Sequence, residues 1–279
     1  MDHTPAPNTG PGLPDLSGLP GVNTDRPTPA RVYDYLLSGK DNYPADRVAA
    51  ASVEAREPNS RLIVAQNRMF LRRVVTYLVR DAGIRQIIDL GSGLPTQDNV
   101  HQIAQRHAPD TRVIYVDNDP LVLAHGHALL ADNSNTAVVT ADIRAPERVF
   151  TDPDTQRLID LDQPWALLAV ALFHFIPEDP LAVIAPFRER MAPGSYLGLS
   201  HLSHDATTPE TARHVTEVYT TATAPLVLRT RQEIATAFTG FDLIPPGLQL
   251  IMDWRPDHPP TSPEDVWLFG GVGHIPPTT

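Results

Sequence analysis

Three polar signals stand where apolar runs of this chain end. The first is DLGSGLPTQDN, in which Gly91 and Gly93 let the backbone turn tightly and approach a ligand closely. The second is Asp117 in YVDNDP, 26 residues after Gly91, about where a carboxylate on ribose hydroxyls is expected. The third is Asp142 in TADI. Any one of these aspartates serves equally well as a helix cap or turn acceptor, and a single glycine-rich turn is often only a tight connection. Three at successive apolar ends point to a nucleoside site. Two histidines end later runs: His174 in ALFHF and His201 in YLGLSHL. An imidazole titrating near neutrality suits a general base, and His174 is placed first and His201 second, each reading equally as a hydrogen-bonded loop histidine. HLSH has the spacing of two metal ligands, but no third ligand is evident, so no metal site is predicted.

Charge selects among nucleosides. A dinucleotide lays its pyrophosphate on a helix N-terminus and wants a small residue at the third position of its glycine fingerprint. That position here is Thr96, after Pro95, and Asp98 falls in the expected first turn of the following helix. A carboxylate there suits the helix dipole and repels pyrophosphate, but does not repel a ligand with a sulfonium and an ammonium. The pattern therefore favours S-adenosylmethionine, with a nicotinamide oxidoreductase disfavoured.

The elements that must position these residues follow from periodicity. Residues 1–25 are rich in Pro and Gly without an apolar period and read as a flexible tail. Residues 26–83 read as a helical region. TPARVYDYLLSG is a short helix with Thr28 as N-cap, Pro29 first and Gly39 at its end; PADRVAAASVEARE is a second. NSRLIVAQNRMFLRRVVTYLVRDAG is a third, with Leu62, Met69, Phe70, Val74 and Leu78 on one face. Residues 84–279 then alternate short apolar runs with helical stretches: QIIDLG, RVIYVDND, TAVVTADI, WALLAVALFHF and SYLGLSHL as strands. Runs apolar on both faces and separated by helices predict a parallel sheet covered on both sides. FDLIPPGLQLI and DVWLFGGVG, with no helical pattern between them, predict a terminal hairpin with one antiparallel strand.

Composition narrows the partners. A net charge of −11 disfavours nucleic acid and anionic membrane, since no basic cluster interrupts it. Without cysteine there is no disulfide, thiolate nucleophile or cysteine-ligated metal. The opening residues lack the basic and apolar regions of a signal peptide, and no apolar run is long enough for a membrane span. These features predict a cytoplasmic protein without a nucleic-acid or membrane partner. Oligomeric state is not legible in them.

Taken together, RVYDYLLSGKDNYPADR, IDLGSGLPTQDNVHQIAQ, YVDNDPLVLAHGHALL, TADIRAPE, LFHFIPE and GSYLGLSH, in this order from about Pro29 to Gly273, resemble a family of bacterial S-adenosylmethionine-dependent methyltransferases. The family was first catalogued as a domain of unknown function and is abundant in actinobacteria. The resemblance implies the class I methyltransferase fold, Rossmann-like, with seven strands and the last antiparallel. It also implies cofactor-binding residues: Asp89, Gly91 and Gly93 at the methionine part, Asp117 on the ribose with Asn118 beside the adenine, and Asp142 and Ile143 at the adenine. Ala171 to His174 would face the transferring methyl. The fourth strand lacks an Asn-Pro-Pro-aromatic ending, which disfavours methylation of nucleic-acid bases. The expected activity is methyl transfer to a small molecule; the alternative is a sensor or regulatory module that binds the cofactor without using it.

One residue stands apart. Lys40 is the single lysine beside 21 arginines, in SGKDNYPADR between the first two helices. In class I methyltransferases such helices often fold over the cofactor cleft, so Tyr33, Lys40, Asn42 and Tyr43 are expected in a lid facing the site. The same stretch reads equally as a turn, with Lys40 pairing to Asp41 or Asp46.

Overall fold

The computed structural model describes residues 22–95, 98–130, 133–262 and 265–276. Most of the expected tail and Thr96 lie outside the described residues.

Three helices open the chain: α1 (Pro29–Leu36), α2 (Pro44–Arg56) and α3 (Ser60–Thr76). Thr28 caps α1 as expected, its side chain accepting the Arg31 N–H, with Pro29 in the first turn. The helix stops at Leu36, three residues before the expected end at Gly39, and Ser38 takes a positive φ of 61°. α3 continues into one wider turn, Tyr77–Asp81, and Gly83 at φ 74° leads into the sheet. Its buried stripe is Ile63, Val64, Asn67, Phe70, Leu71, Val74 and Leu78, whereas Leu62 and Met69 are exposed. The polar Asn67 sits inside the stripe and hides its true phase from a hydrophobicity pattern.

The sheet is built from β1 (Gln86–Leu90), β2 (Arg112–Asp117), β3 (Thr136–Thr140), β4 (Ala166–Val170), β5 (Tyr196–Leu202), β6 (Asp242–Leu243), β7 (Gln249–Leu250) and β8 (Leu268–His274). Its order is β3-β2-β1-β4-β5-β8-β6, with β7 also on β8. The first five run parallel, and β8 runs antiparallel to β5, β6 and β7. Intervening helices are α4 (Val100–His107), α5 (Pro120–Leu130), α6 (Pro146–Thr151), α7 (Pro153–Leu158), α8 (Pro180–Arg188), α9 (Pro209–Val218) and α10 (Arg231–Thr236).

Strand neighbours divide between two cores, as period-2 geometry requires. Ile87 and Val113 belong to a core with Val32, Phe70 and Trp254; Ile88 and Ile114 belong to one with Phe150, Trp165 and Phe187. The N-terminal helices thus share a core with one face of the sheet. All five parallel strands end on the same edge, and the strand order reverses between β1 and β4. That reversal is where an open α/β sheet offers a ligand crevice.

Two strand expectations need correction. WALLAVALFHF is a strand only to Val170, because Ala171 adopts a left-handed φ of 56° and a tight turn follows at Phe173–Phe175. FDLIPPGLQLI is split into two short strands, β6 and β7, both on β8, because Pro245 and Pro246 cannot donate to a ladder and Gly247 turns at φ 87°; the mostly parallel sheet with one antiparallel strand is as expected. The two six-residue helices α6 and α7 are too short to show a period and were not foreseen.

Candidate functional site

A cleft of about 510 Å³ opens at the reversal point, within the range of small-molecule sites. Asp89, Gly91, Gly93, Asp117, Asn118, Asp142, Ile143, Ala171 and Tyr33 all line it. Gly91 turns at φ 62° directly against the Leu172 side chain, where any Cβ would collide. Gly93 has φ 65° and nothing within 4 Å of a would-be Cβ, so its backbone lies open to an incoming ligand. The Gly93 N–H donates to Asp117 Oδ2 at 2.9 Å and the Asp119 N–H to Oδ1 at 2.9 Å. Asp117 therefore ties the turn after β1 to the end of β2.

The carboxylates differ in environment. Asp89 is buried, and desolvation lifts its pKa to about 7, the nearby charge of Asp117 adding to the rise and Arg68 opposing it. Burial also raises Asp117. Asp142 goes the other way: Arg144 donates to it through Nη2 at 2.6 Å and holds its pKa down. Arg144 reaches on to Glu178 at 3.2 Å.

The helices form the opposite wall, through residues other than most of those expected. Asp34 lines the cleft, and its carboxylate accepts the Asp41 N–H at 2.9 Å and Asn42 Nδ2 at 2.8 Å. Gly39 is required in that turn because the Asp34 carboxylate occupies the place of a Cβ. The SGKDN stretch thus closes around Asp34. Of the four expected lid residues only Tyr33 lines the cleft. Lys40 is exposed on the turn; Asn42 is turned to Asp34; Tyr43 lies under the Arg31 guanidinium, 5.2 Å from its centroid, and packs with Leu94 and Leu121. Arg31 itself is buried against Asp46 at 2.9 Å. Asp98, expected in the first turn of α4, precedes the capping residue Asn99 and pairs with Arg106 at 2.7 Å. Its charge is spent there and bears little on a phosphate.

A hydrogen-bonded chain crosses behind the cleft. The Ala171 N–H donates to Ser200 Oγ (3.0 Å), Ser200 to Asn67 Oδ1 (2.7 Å), Asn67 Nδ2 to Tyr33 Oη (3.0 Å), and Tyr33 to the Val64 carbonyl (3.2 Å). It fixes the left-handed Ala171, a conformation that costs of order 1 kcal/mol and persists only when its surroundings hold it.

Neither histidine faces the cleft as a free base. His201 is fully buried, donating from Nδ1 to the Leu202 carbonyl (2.6 Å) and accepting Arg229 Nη1 at Nε2 (2.9 Å). Burial, with Arg229 adding, brings its pKa to about 4. His174 Nδ1 accepts the Leu202 N–H at 3.3 Å, so the neutral ring carries its proton on Nε2. Desolvation, then His201 and Arg229, keep it far below its usual pKa. A ring with one nitrogen occupied by an amide and the other protonated donates; it does not accept a proton. His174 instead lines an adjoining inner chamber of about 60 Å³, bordered by α1, α2, α3, α9 and β8. Tyr33, Asn67, Ala171 and Phe175 line both chamber and cleft.

Comparison with known proteins shows the family. A family model described as S-adenosyl methyltransferase matches residues 18–276. The chain belongs to that family. A candidate methyltransferase from Thermobifida fusca is 41% identical over 92% of this chain and 98% of its own, with a TM-score of 0.86. A protein of the DUF574 family from Streptomyces avermitilis is 36% identical over 91% and 99%, with a TM-score of 0.87. The plantazolicin methyltransferase BamL, at 10% identity and a TM-score of 0.51, shares the fold. No curated protein matches the chain.

The cleft of this S-adenosylmethionine-dependent methyltransferase suits the cofactor. Asp34, Asp89, Asp117, Asp119 and Asp142 border it against Arg31, Arg68 and Arg144, of which Arg31 is committed to Asp46 and Arg144 to Asp142. Such a surplus of carboxylate suits a sulfonium with an ammonium and repels a pyrophosphate. Asp34, Asn67, Arg68 and Arg144 escaped the sequence reading. Asn67 carried a signal, as a polar residue at an apolar phase of α3; the others resemble any solvated helix or loop charge. Among the described residues no cluster could hold a metal ion, and no helix is long and apolar enough to cross a membrane.

Proposed function

We propose that the chain methylates a compact small molecule whose nucleophile is presented where cleft and inner chamber meet. The shared wall of Tyr33, Asn67, Ala171 and Phe175 carries this reading. The Gly91–Gly93 turn and Asp89 receive the methionine end, with Arg68 beside them for its carboxylate. Asp117 takes the ribose hydroxyls, Asn118 lies beside the adenine, and Asp142 with Ile143 borders it.

The bound cofactor supplies a methyl carbon already activated by its sulfonium. The chain's contribution is then alignment and exclusion of water, which can supply several kcal/mol of the barrier. The polar chain from Ala171 to Val64 keeps the wall rigid at the point of transfer. Because His174 and His201 are held neutral and hydrogen-bonded, the reading favours an acceptor that arrives with its lone pair ready. The partnerless hydroxyl of Ser60 in the inner chamber favours a chain that seats an acceptor over one that only senses the cofactor.

The test is methyl-labelled S-adenosylmethionine incubated with the full chain and a total cell extract, then fractionated by size. Label in the small-molecule filtrate is expected. Label found only in protein or nucleic acid would sink the reading.

A further inference from the structure

The inner chamber has a polar end that the methyl transfer described above does not use. Glu57, at the α2–α3 turn, is buried with its carboxylate turned inward: Trp267 Nε1 donates to Oε2 at 3.0 Å and the Asn59 N–H to Oε1 at 2.9 Å. Both donors are neutral, and among the described residues Glu57 has no ion-pair partner. Next to it, Ser60 is 3% exposed and lines the same chamber, yet its Oγ has no hydrogen-bond partner. A buried hydroxyl without a partner costs about 1–3 kcal/mol, and a buried carboxylate without a counter-charge costs more. Both costs are relieved by one kind of occupant: a group with several N–H donors and a positive charge. Apart from Asn67 and His174 on the side towards the cleft, the rest of the chamber is apolar and aromatic, with Tyr219, Trp267 and Val215 around it. Ring faces of this kind also attract a cation. Where one water needs roughly 10–15 Å³, a cavity of about 60 Å³ holds on the order of five waters, the size of one small ring with a short substituent.

We propose that the inner chamber is a recognition site for a primary ammonium group on a compact apolar body, with Glu57 as its counter-ion and Ser60 as its second acceptor. Resting on the proposed small-molecule methylation, this makes the ammonium the acceptor's anchoring group. A protonated amine has no lone pair to methylate, so the nucleophile is another atom of the same molecule, at the Ala171 wall. Glu57 and Ser60 are then specificity-determining residues that touch the acceptor and not the cofactor.

The experiment uses the full chain saturated with S-adenosylhomocysteine and three probes of nearly equal shape: benzylamine, benzyl alcohol and benzoate. Calorimetry should find benzylamine bound at least tenfold more tightly than benzyl alcohol, and benzoate not at all. Glu57→Gln should bring the amine down to the level of the alcohol without changing S-adenosylhomocysteine affinity. Ser60→Leu removes the partnerless hydroxyl and fills the chamber; it should raise the melting temperature and abolish amine binding, so misfolding cannot explain the loss. Equal affinity for amine and alcohol, a preference for benzoate, no amine binding, or amine affinity untouched by both substitutions would each overturn the proposal. Failure of S-adenosylhomocysteine to bind the wild-type chain would instead overturn the assignment of the cleft.

Discussion

Asp89 is the residue at which burial and ligand charge compete most directly. Its carboxyl has a pKa near 7 because it is desolvated beside Asp117. A cationic ligand favours the ionised form, so affinity for S-adenosylmethionine should rise from pH 6 to pH 8, and binding near pH 6.5 should release a proton. Calorimetry in buffers of different ionisation enthalpy reads that proton directly; no buffer dependence would show that Asp89 does not meet the cofactor's charge. Stability runs the opposite way. The folded pKa lies above the unfolded value near 4, so ionisation of Asp89 erodes stability as pH rises from about 4 to 7, and the loss is complete above 7. Asp89→Asn should therefore melt higher than wild type at pH 8, with the difference shrinking towards pH 4, while cofactor affinity falls at least tenfold. Asp89, Gly91, Gly93, Asp117 and Asp142, which line the cleft, were legible as candidates because each stands where an apolar run ends and chain geometry leaves few other tasks; Asp34, on a helix, was not. Histidine roles were not legible: a base and a structural donor differ only in which groups face the two ring nitrogens, and those groups, the Leu202 N–H for His174 and Arg229 for His201, are distant in sequence from the histidine each one meets.

At the scale of elements, the edges of the cleft are held by two polar devices. Arg229 lies against the turn after β4 and donates to the carbonyls of Phe173 (2.7 Å), Ile176 (2.9 Å) and Glu178 (2.7 Å), while Val227 N–H donates to the His174 carbonyl (2.8 Å). Phe175, Ile176 and Pro177 from that turn line the cleft. A guanidinium serves this cluster through its fork of donors, which an ammonium cannot reproduce. Arg229→Lys should cost about 2–3 kcal/mol in denaturant unfolding, since several buried carbonyls lose their partners; a cost below about 0.5 kcal/mol would show that the turn holds itself. The second device is the turn around Asp34. Gly39→Ala should push the Asp34 carboxylate out of place and destabilise by about 1–3 kcal/mol, whereas Lys40→Arg, on an exposed position of the same turn, should leave melting and cofactor binding unchanged. Sequence marked SGKDN correctly as a turn between helices. It could not show that the turn is built around a carboxylate five positions upstream, because Asp34 lies on the helix as an ordinary polar residue.

At the scale of the molecule, the N-terminal helices and the sheet share one core, which bears on how the chain unfolds. Val32 and Leu36 of α1 and Phe70 and Val74 of α3 belong to the same buried cluster as Leu168 of β4, Val272 of β8 and Trp254. The change of period from helix to strand near residue 83 was legible, with the last helical turn ending at Asp81 and β1 starting at Gln86, but period reports local structure and is blind to which faces later meet. Elements that bury one another's apolar faces unfold together. Leu36→Ala, at a buried position of α1, should therefore lower the stability of the whole chain by about 2–4 kcal/mol. Far-UV dichroism, dominated by both regions, and tryptophan fluorescence should keep a common midpoint. Trp165 reports the face of the sheet away from α1, and Trp254 and Trp267 report the face beneath it. If the helices were a lid that opens as an independent unit, the substitution would produce an early phase in Trp254 and Trp267 while Trp165 unfolded at its wild-type midpoint; single-tryptophan variants separate the two. A coincident shift at all three would mean that access to the inner chamber, walled by α1, α2 and α3, comes through local movement at the Tyr33–Asn67 wall and not by hinging of the whole helical region.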